Sequence, residues 1–444
     1  MDELFAHAPV PKAYMHLALP VVLGMVASMV YNLVDTFFVA QTGNADLVAG
    51  VTLGAPLFSF MLALGDIFGL GGSALLSRLL GNGKRAQVRA LSSFCLYAAV
   101  ALSLVITALL LGFKQPILTL LGATAATRAY AGAFYTMLAG GATFIIVSLV
   151  PGNIIRTEGL AKQSMIATVA GTALTIVLDP LFLFGFHWGA GGVGLANVLG
   201  YALNTGLLLW FTQTKAQYLS IAPRVAKASP HALGAILAIG IPASLTNFMQ
   251  SLGTMLLNQR LAAHGANAVA AMGIAQKVYM IVMLIMVGFA FGAQPLIGYN
   301  FGAKARQRLN EILRFDFRVE IGYALVAAGV LILLAPQIVA LFMNQPTIVA
   351  MGSLMLRALL ITMPFIGAIL VFTTVFQSVG QSLDALIMAI ARQGVIFAVV
   401  LWLLPQWLGF AGIVWAQAVS DLLTCAIGYG LYRHSKTLWW QPAA

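Results

Sequence analysis

Two aspartates stand inside runs that are otherwise almost wholly apolar. "NLVDTFF", residues 32–38, holds Asp35, and "TALTIVLDPLFLF", residues 172–184, holds Asp179 with a proline directly after it. A carboxylate at the centre of a membrane-spanning helix costs roughly 2.5–3.5 kcal/mol on insertion scales, so an acid in such a place is read first as functional. Two acids in an apolar setting can exchange protons, hold a cation or catalyse hydrolysis. Thr175 precedes Asp179 by four residues and therefore shares its helix face one turn away. Asn197, in "GVGLANVLGY", adds an amide. For Thr175 and Asn197 the ordinary alternative is hydrogen bonding between membrane helices.

The elements that must position these groups follow from composition. The 444 residues are 61% hydrophobic and 8% charged, with a mean hydropathy of +0.96. Soluble domains carry about 25% charged residues, so this is an integral membrane protein. Stretches long enough to cross a bilayer, about 20 residues each, predict an all-α polytopic fold. Twelve spans are expected, at 14–41, 46–78, 90–112, 126–157, 164–185, 190–213, 232–262, 267–299, 318–343, 347–378, 384–404 and 410–432. The apolar runs lack the two-residue alternation of a membrane barrel. Asp35 and Asp179 each lie six residues before the outer end of a span, about 9 Å below it at 1.5 Å per residue. Asn197 enters from the same side to a similar depth, so the four polar groups can share one level.

Charge sets the orientation. With the N-terminus inside, the inward segments hold seventeen lysines and arginines, among them Arg78, Lys84, Arg85, Arg306 and Arg308, against Lys114, Arg128 and Arg260 outside. Both termini are expected in the cytoplasm, in a cell inner membrane. The net charge of +11 fits basic loops beside a lipid bilayer better than nucleic-acid binding. No removable signal peptide is evident in "MDELFAHAPVPK". Cys95 and Cys425 read as packing residues, and the six histidines lack metal-ligand spacing, so no cofactor is expected. No phosphate-binding loop and no obligate protein partner are indicated either.

The chain also repeats itself. "LALPVVLGMVASM" (17–29) resembles "LAIGIPASLTNFM" (237–249), "SRLLGNGKRAQ" (77–87) echoes "IGYNFGAKARQ" (297–307), and "RTEGLAK" (156–162) aligns with "QSVGQSL" (377–383). A nearly constant offset predicts two six-helix bundles around a central cavity, residues 1–213 and 232–444, joined by a cytoplasmic linker at 214–231. Such duplicated halves suit alternating access.

With "LALPVVLGMVASMVYNLVDTFFVAQTG" opening the first half and "LIGYNFGAK" closing the eighth span, the chain resembles the multidrug and toxic compound extrusion (MATE) transporters over essentially its whole length. The "LVD" and "LDP" aspartates look most like the DinF-like branch. The resemblance implies export of organic, often cationic or amphipathic compounds in exchange for protons or Na+. It also implies an ion-coupling role for Asp35, Asp179, Thr175 and Asn197, which are the candidate Na+ ligands as well. That branch usually has asparagine before the second aspartate and threonine in the next span; here the two are reversed. Pro20, fifteen residues before Asp35, matches the place of a helix bend thought to respond to protonation, the alternative being a static kink.

Further candidates for substrate contact or the polar network are Tyr31, Asn32, Asp66, Tyr135, Asn153, Met249, Lys277 and Met286. Asp66 could join a relay, pair with an inward basic residue or hydrogen-bond a closely packed helix. Asp421 is expected in a structural role or an ion pair, ahead of a functional one. Lys277 reads as the second half's buried cation, in a structural or gating pair. Methionines suit an adaptable pocket but more often pack. Trp188, Trp210, Trp407, Trp439 and Trp440 read as interfacial anchors. The second half's counterpart of the Asp179 stretch, "VIFAVVLWLLPQW", has no acid, so the ion site is expected in the first bundle alone. A proton-coupled multidrug antiporter is the expected function, ahead of a Na+-coupled one, a lipid-linked saccharide flippase and an intramembrane aspartyl hydrolase.

Overall fold

The computed structural model describes residues 3–439. The first half holds α1 (Val10–Gln41), α2 (Ala45–Thr52), α3 (Ala55–Gly81), α4 (Arg85–Gly112), α5 (Lys114–Leu120), α6 (Arg128–Gly140), α7 (Ala142–Ile154), α8 (Ala161–Pro180) and α9 (Gly189–Lys215). The second holds α10 (Pro230–Ala262), α11 (Ala266–Gly302), α12 (Arg306–Leu333), α13 (Ala335–Phe342), α14 (Pro346–Leu360), α15 (Met363–Val379), α16 (Ser382–Ile390), α17 (Ile396–Leu408) and α18 (Phe410–Leu438). Among these residues nine helices are long and apolar enough to span a membrane, or twelve when three bent pairs count as one span each. The bends measure 48°, 70° and 41°. They fall at Gly140–Gly141, ahead of Pro336 and ahead of Pro364, where small residues or a missing N–H interrupt the helical ladder.

One expected boundary is corrected. The ninth span was placed at 318–343, but α12 begins at Arg306 and the chain turns by 70° after Leu333. Four arginines made 306–318 read as loop. The segment is helical instead: Arg314 and Arg318 lie on an outer face and are exposed, while Asp316 and Glu320 on the same turns are fully buried. Long cationic side chains can reach water from such a position.

The halves meet at the end where the described residues begin and finish, near Phe5 and Trp439. One hydrophobic cluster crosses between them, joining Tyr14, Leu17 and Ala18 of α1 and Leu76 of α3 to Leu296 and Ile297 of α11, Ile312 of α12 and Val375 of α15. The two other large clusters each stay within one half. Backbones touch where α3 crosses α10: a Cβ on Gly240 would lie 1.9 Å from the Ile67 carbonyl oxygen, and one on Gly71 2.3 Å from that of Ile236. Polar bonds reinforce the seam. Arg78 of α3 donates to the Val379 carbonyl of α15 (3.1 Å), and Arg308 of α12 donates to the carbonyls of Phe5 and Ala8 (both 2.7 Å). The connection between halves is itself held to the first. Glu158 accepts the N–H groups of Gln217, Tyr218 and Leu219 at 2.6–2.8 Å, and Ser93 donates to the Ser220 carbonyl.

Beyond that seam several helices carry exposed side chains. α1 exposes Asn32, Leu33 and Phe37, α10 exposes Asn247, Phe248, Ser251 and Met255, and α11 exposes Lys277 and Met280.

Candidate functional site

Asp179 lies one residue before the end of α8, where Pro180 has no N–H to bond the Ile176 carbonyl. The chain then widens into a π turn, Leu181–Gly185, closed by Phe186 N–H on the Leu181 carbonyl at 2.9 Å. Asp35 comes from α1, six residues before its end at Gln41. The two carboxyls are neighbours and interact directly. Oδ1 of Asp35 and both oxygens of Asp179 are buried without a hydrogen-bond donor. Like charges taken from water and placed together are unfavourable unless a proton or a cation is shared between them.

The surrounding groups are committed elsewhere. Tyr31, buried one turn before Asp35, lies in the field of both acids and donates its hydroxyl to Asn197 Oδ1. Asn197 Nδ2 in turn donates to the Val193 carbonyl (3.0 Å). The Thr175 hydroxyl is shared by the carbonyls of Gly171 (3.0 Å) and Ala196 (3.4 Å). This is possible because α8 and α9 touch through glycine: a Cβ on Gly200 would fall 2.0 Å from Thr175 Oγ1. Tyr201, not among the candidates read from the sequence, lies near Tyr31 and packs its ring edge-on against Phe58 (5.6 Å). Its position four residues after Asn197 is the signal that could have found it. Hard cations gather shells of oxygen ligands. Here the uncommitted buried oxygens are the three carboxyl ones, an arrangement suited to a shared proton; a Na+ would have to draw Thr175 and Asn197 from their present bonds. Among the described residues there is no group of three or more His, Cys, Asp or Glu able to hold a metal ion.

The remaining candidates divide. Asp66 of α3 has Arg156 as its charged partner. Arg156 donates to Asn153 Oδ1 and Ser164 Oγ, both at 3.3 Å. Asn153 therefore belongs to a clamp around that arginine. Asp421 is bridged to Arg392 at 3.1 Å and also receives Gln417 (2.9 Å) and Thr362 (3.0 Å). Tyr135 is buried and donates to the Leu110 carbonyl (2.7 Å), tying α6 to the end of α4. Two expectations are corrected. Met286 is fully buried in the second half's core. Lys277 is exposed and has no ion pair among the described residues; the buried cation of the second half is Arg392, whose acid lies 29 residues ahead and so left no local signature. Met249 packs its sulfur beside Gly394, at the break between α16 and α17, and Asn32 is exposed. Pro20 is half-buried within α1, which continues through it as one helix. Trp188, Trp210 and Trp407 are exposed, whereas Trp439 bonds Gln381 (3.1 Å); Trp440 lies outside the described residues.

The profile of the MatE family matches residues 20–181 and again residues 242–403. The chain belongs to the MatE family. Among its relatives, the multidrug export protein MepA of Staphylococcus aureus (strain MRSA252) is 29% identical over 424 residues, covering 95% of this chain and 93% of that protein. The MepA of Staphylococcus haemolyticus (strain JCSC1435) is likewise 29% identical, over 422 residues. Among solved structures, a MOP superfamily transporter from Pyrococcus furiosus superposes with a TM-score of 0.92 at 24% identity, covering 99% of this chain and 98% of that one. A structure described as the outward-facing conformation of a multidrug resistance MATE family transporter gives the same TM-score and identity. MatE proteins are membrane transporters, and the hydrolase reading of the two acids is set aside. The second MatE match repeats the first with a shift from 20 to 242. That shift carries Asp35, Thr175 and Asp179 onto Leu257, Phe397 and Leu401, all buried in one apolar cluster.

Proposed function

We propose that this multi-pass transporter is a multidrug exporter that exchanges organic, often cationic or amphipathic compounds for protons, with Asp35 and Asp179 as the shared proton site. The observation that carries this reading is the pair of adjoining carboxyls whose three buried oxygens have no donor. The kinship with MepA, a multidrug export protein, supports the substrate class.

The basic excess at the end bearing the termini supports placing that end in the cytoplasm of an inner-membrane protein, with the opposite end facing outward. Protons arriving from outside then reach Asp35 and Asp179 directly. Loading neutralises the pair, removes the attraction it offers a cationic substrate and favours release outward. Opening of the opposite end returns the protons inside, and the emptied carboxylates bind the next substrate. In this reading the exposed polar residues Asn32, Asn247, Ser251 and Lys277 of α1, α10 and α11 face a cleft between the halves. Met255 and Met280 beside them supply an adaptable apolar surface.

The test is substrate transport in proteoliposomes under a pH gradient or a Na+ gradient imposed separately. The pH gradient should drive transport by the native protein, with loss of more than about tenfold in Asp35→Asn and in Asp179→Asn. Undiminished pH-driven transport in both variants sinks the assignment. Drive by Na+ alone would transfer the same site to that ion.

A further inference from the structure

We infer that Asp316 and Glu320 form a second proton-carrying site, separate from Asp35 and Asp179, which holds the two halves together at the terminal end while it is protonated. The pair lies one turn apart on the inner face of α12, about 15 and 21 Å along the helix from Arg306 at 1.5 Å per residue. Both side chains are 0% exposed. Tyr14 of α1, from the other half and equally buried, donates its hydroxyl to Asp316 Oδ1 at 2.7 Å. Asp316 Oδ2 has no partner, and neither Glu320 oxygen makes a hydrogen bond of good geometry, the Ala290 N–H of α11 being the donor that approaches it. The charged and titratable groups acting on the pair are Tyr14 from α1 and Tyr323 from α12 itself. α11 brings the Ala290 backbone to Glu320, and α15 brings Gly367 against its main chain. No cation compensates either acid from any of these elements.

Two ionised carboxylates enclosed in this way would each cost several kcal/mol, so the closed seam requires them neutral. Neutral, each carboxyl gains an O–H that can bond its neighbour, and Asp316 keeps the bond from Tyr14. The exposed Arg314 and Arg318 on the same turns show how near the terminal-side aqueous layer is. When the halves part, water enters, and each carboxyl can pass its proton to that water and ionise. The resulting carboxylates resist reclosure until they are protonated again. Arg78 to Val379, Arg308 to Phe5 and Ala8, and Asn300 to Phe5 (3.2 Å) also cross the seam, and none of these bonds involves a carboxyl group. The assignment extends the proton-coupled reading to a second site but has a readout that needs no substrate.

Nitroxides at Lys84→Cys of the first half and Gln307→Cys of the second, both exposed at the terminal end, report the seam in the full-length protein in nanodiscs, with Cys95 and Cys425 replaced. Raising pH should add a longer-distance population when Asp316 and Glu320 are present. Asp316→Asn with Glu320→Gln, neutral isosteres of the protonated acids, should lose that population at every pH, and Asp316→Glu should retain it. Opening of the double isostere with pH as in the native protein overturns the assignment. So does loss of the response in Asp35→Asn with Asp179→Asn, because the response would then belong to the other pair. A seam that responds through Asp316 and Glu320 in a protein whose transport ignores the pH gradient supports this site while removing the proton-exchange reading.

Discussion

Each buried acid of this protein is balanced in a different way, and substitutions should separate them. Asp421 is compensated by Arg392, Gln417 and Thr362. Asp421→Ala leaves a guanidinium enclosed without its counter-ion, which should cost about 3–5 kcal/mol. Detergent-solubilised protein should show this as a lowered midpoint of thermal unfolding, with no change in the coupling ion of whatever folds. Asp35 and Asp179 have no cation beside them, so their asparagine variants should keep the fold and lose transport. Measuring both quantities on both sets of variants distinguishes an acid that holds structure from one that exchanges a proton. The sequence placed Asp35 and Asp179 as functional candidates through their cost in apolar runs. It gave no warning for Asp316 and Glu320, because "RFDFRVE" alternates signs and reads as a solvated stretch; only the helical face decides that the arginines look out and the acids look in.

At the scale of elements, prolines mark where helices can change. Pro180 frees the Ile176 carbonyl directly after Asp179 and is followed by a wide π turn, Leu181–Gly185. Pro20 leaves the His16 carbonyl without its helical donor while α1 remains one helix from Val10 to Gln41. A bend available at this point would alter the approach of Asp35 to Asp179. Pro20→Ala restores the missing bond, and the expected outcome is a folded protein of equal or higher thermal midpoint with transport reduced several-fold. Full transport by Pro20→Ala would show that α1 works as a rigid rod. The positions of the prolines were legible from the sequence. That α1 continues through Pro20 was not, since the bend depends on what α8 and α11 pack against it.

For the whole molecule, the seam at the terminal end governs which side is open. α3 and α10 cross there at backbone contact, and Gly240 leaves no room for a side chain against the Ile67 carbonyl. Gly240→Val should force the helices apart and shift the molecule toward opening at that end, seen as increased maleimide labelling of a cysteine at Ser77, which is buried in the seam. Labelling unchanged from the native background would mean that the crossing is not a closure point. The same seam gathers the Arg78, Arg308 and Tyr14 bonds, so its loss should be cooperative.

The sequence by itself determined the class of protein, its approximate spans, its duplication and the unusual acids of the first half. Those follow from local quantities: hydropathy summed over a span, a repeat offset and the high cost of a charge in an apolar run. The tertiary structure alone decided which groups meet. Tyr31 reaches Asn197 across 166 residues and Tyr14 reaches Asp316 across 302. Lys277 is exposed while Arg392 is paired within the core. In a membrane, nearly every helix is apolar on most of its surface, so hydropathy cannot tell a face turned to lipid from one turned to a neighbouring helix or a cleft. Packing makes that choice, and with it the assignment of each buried charge.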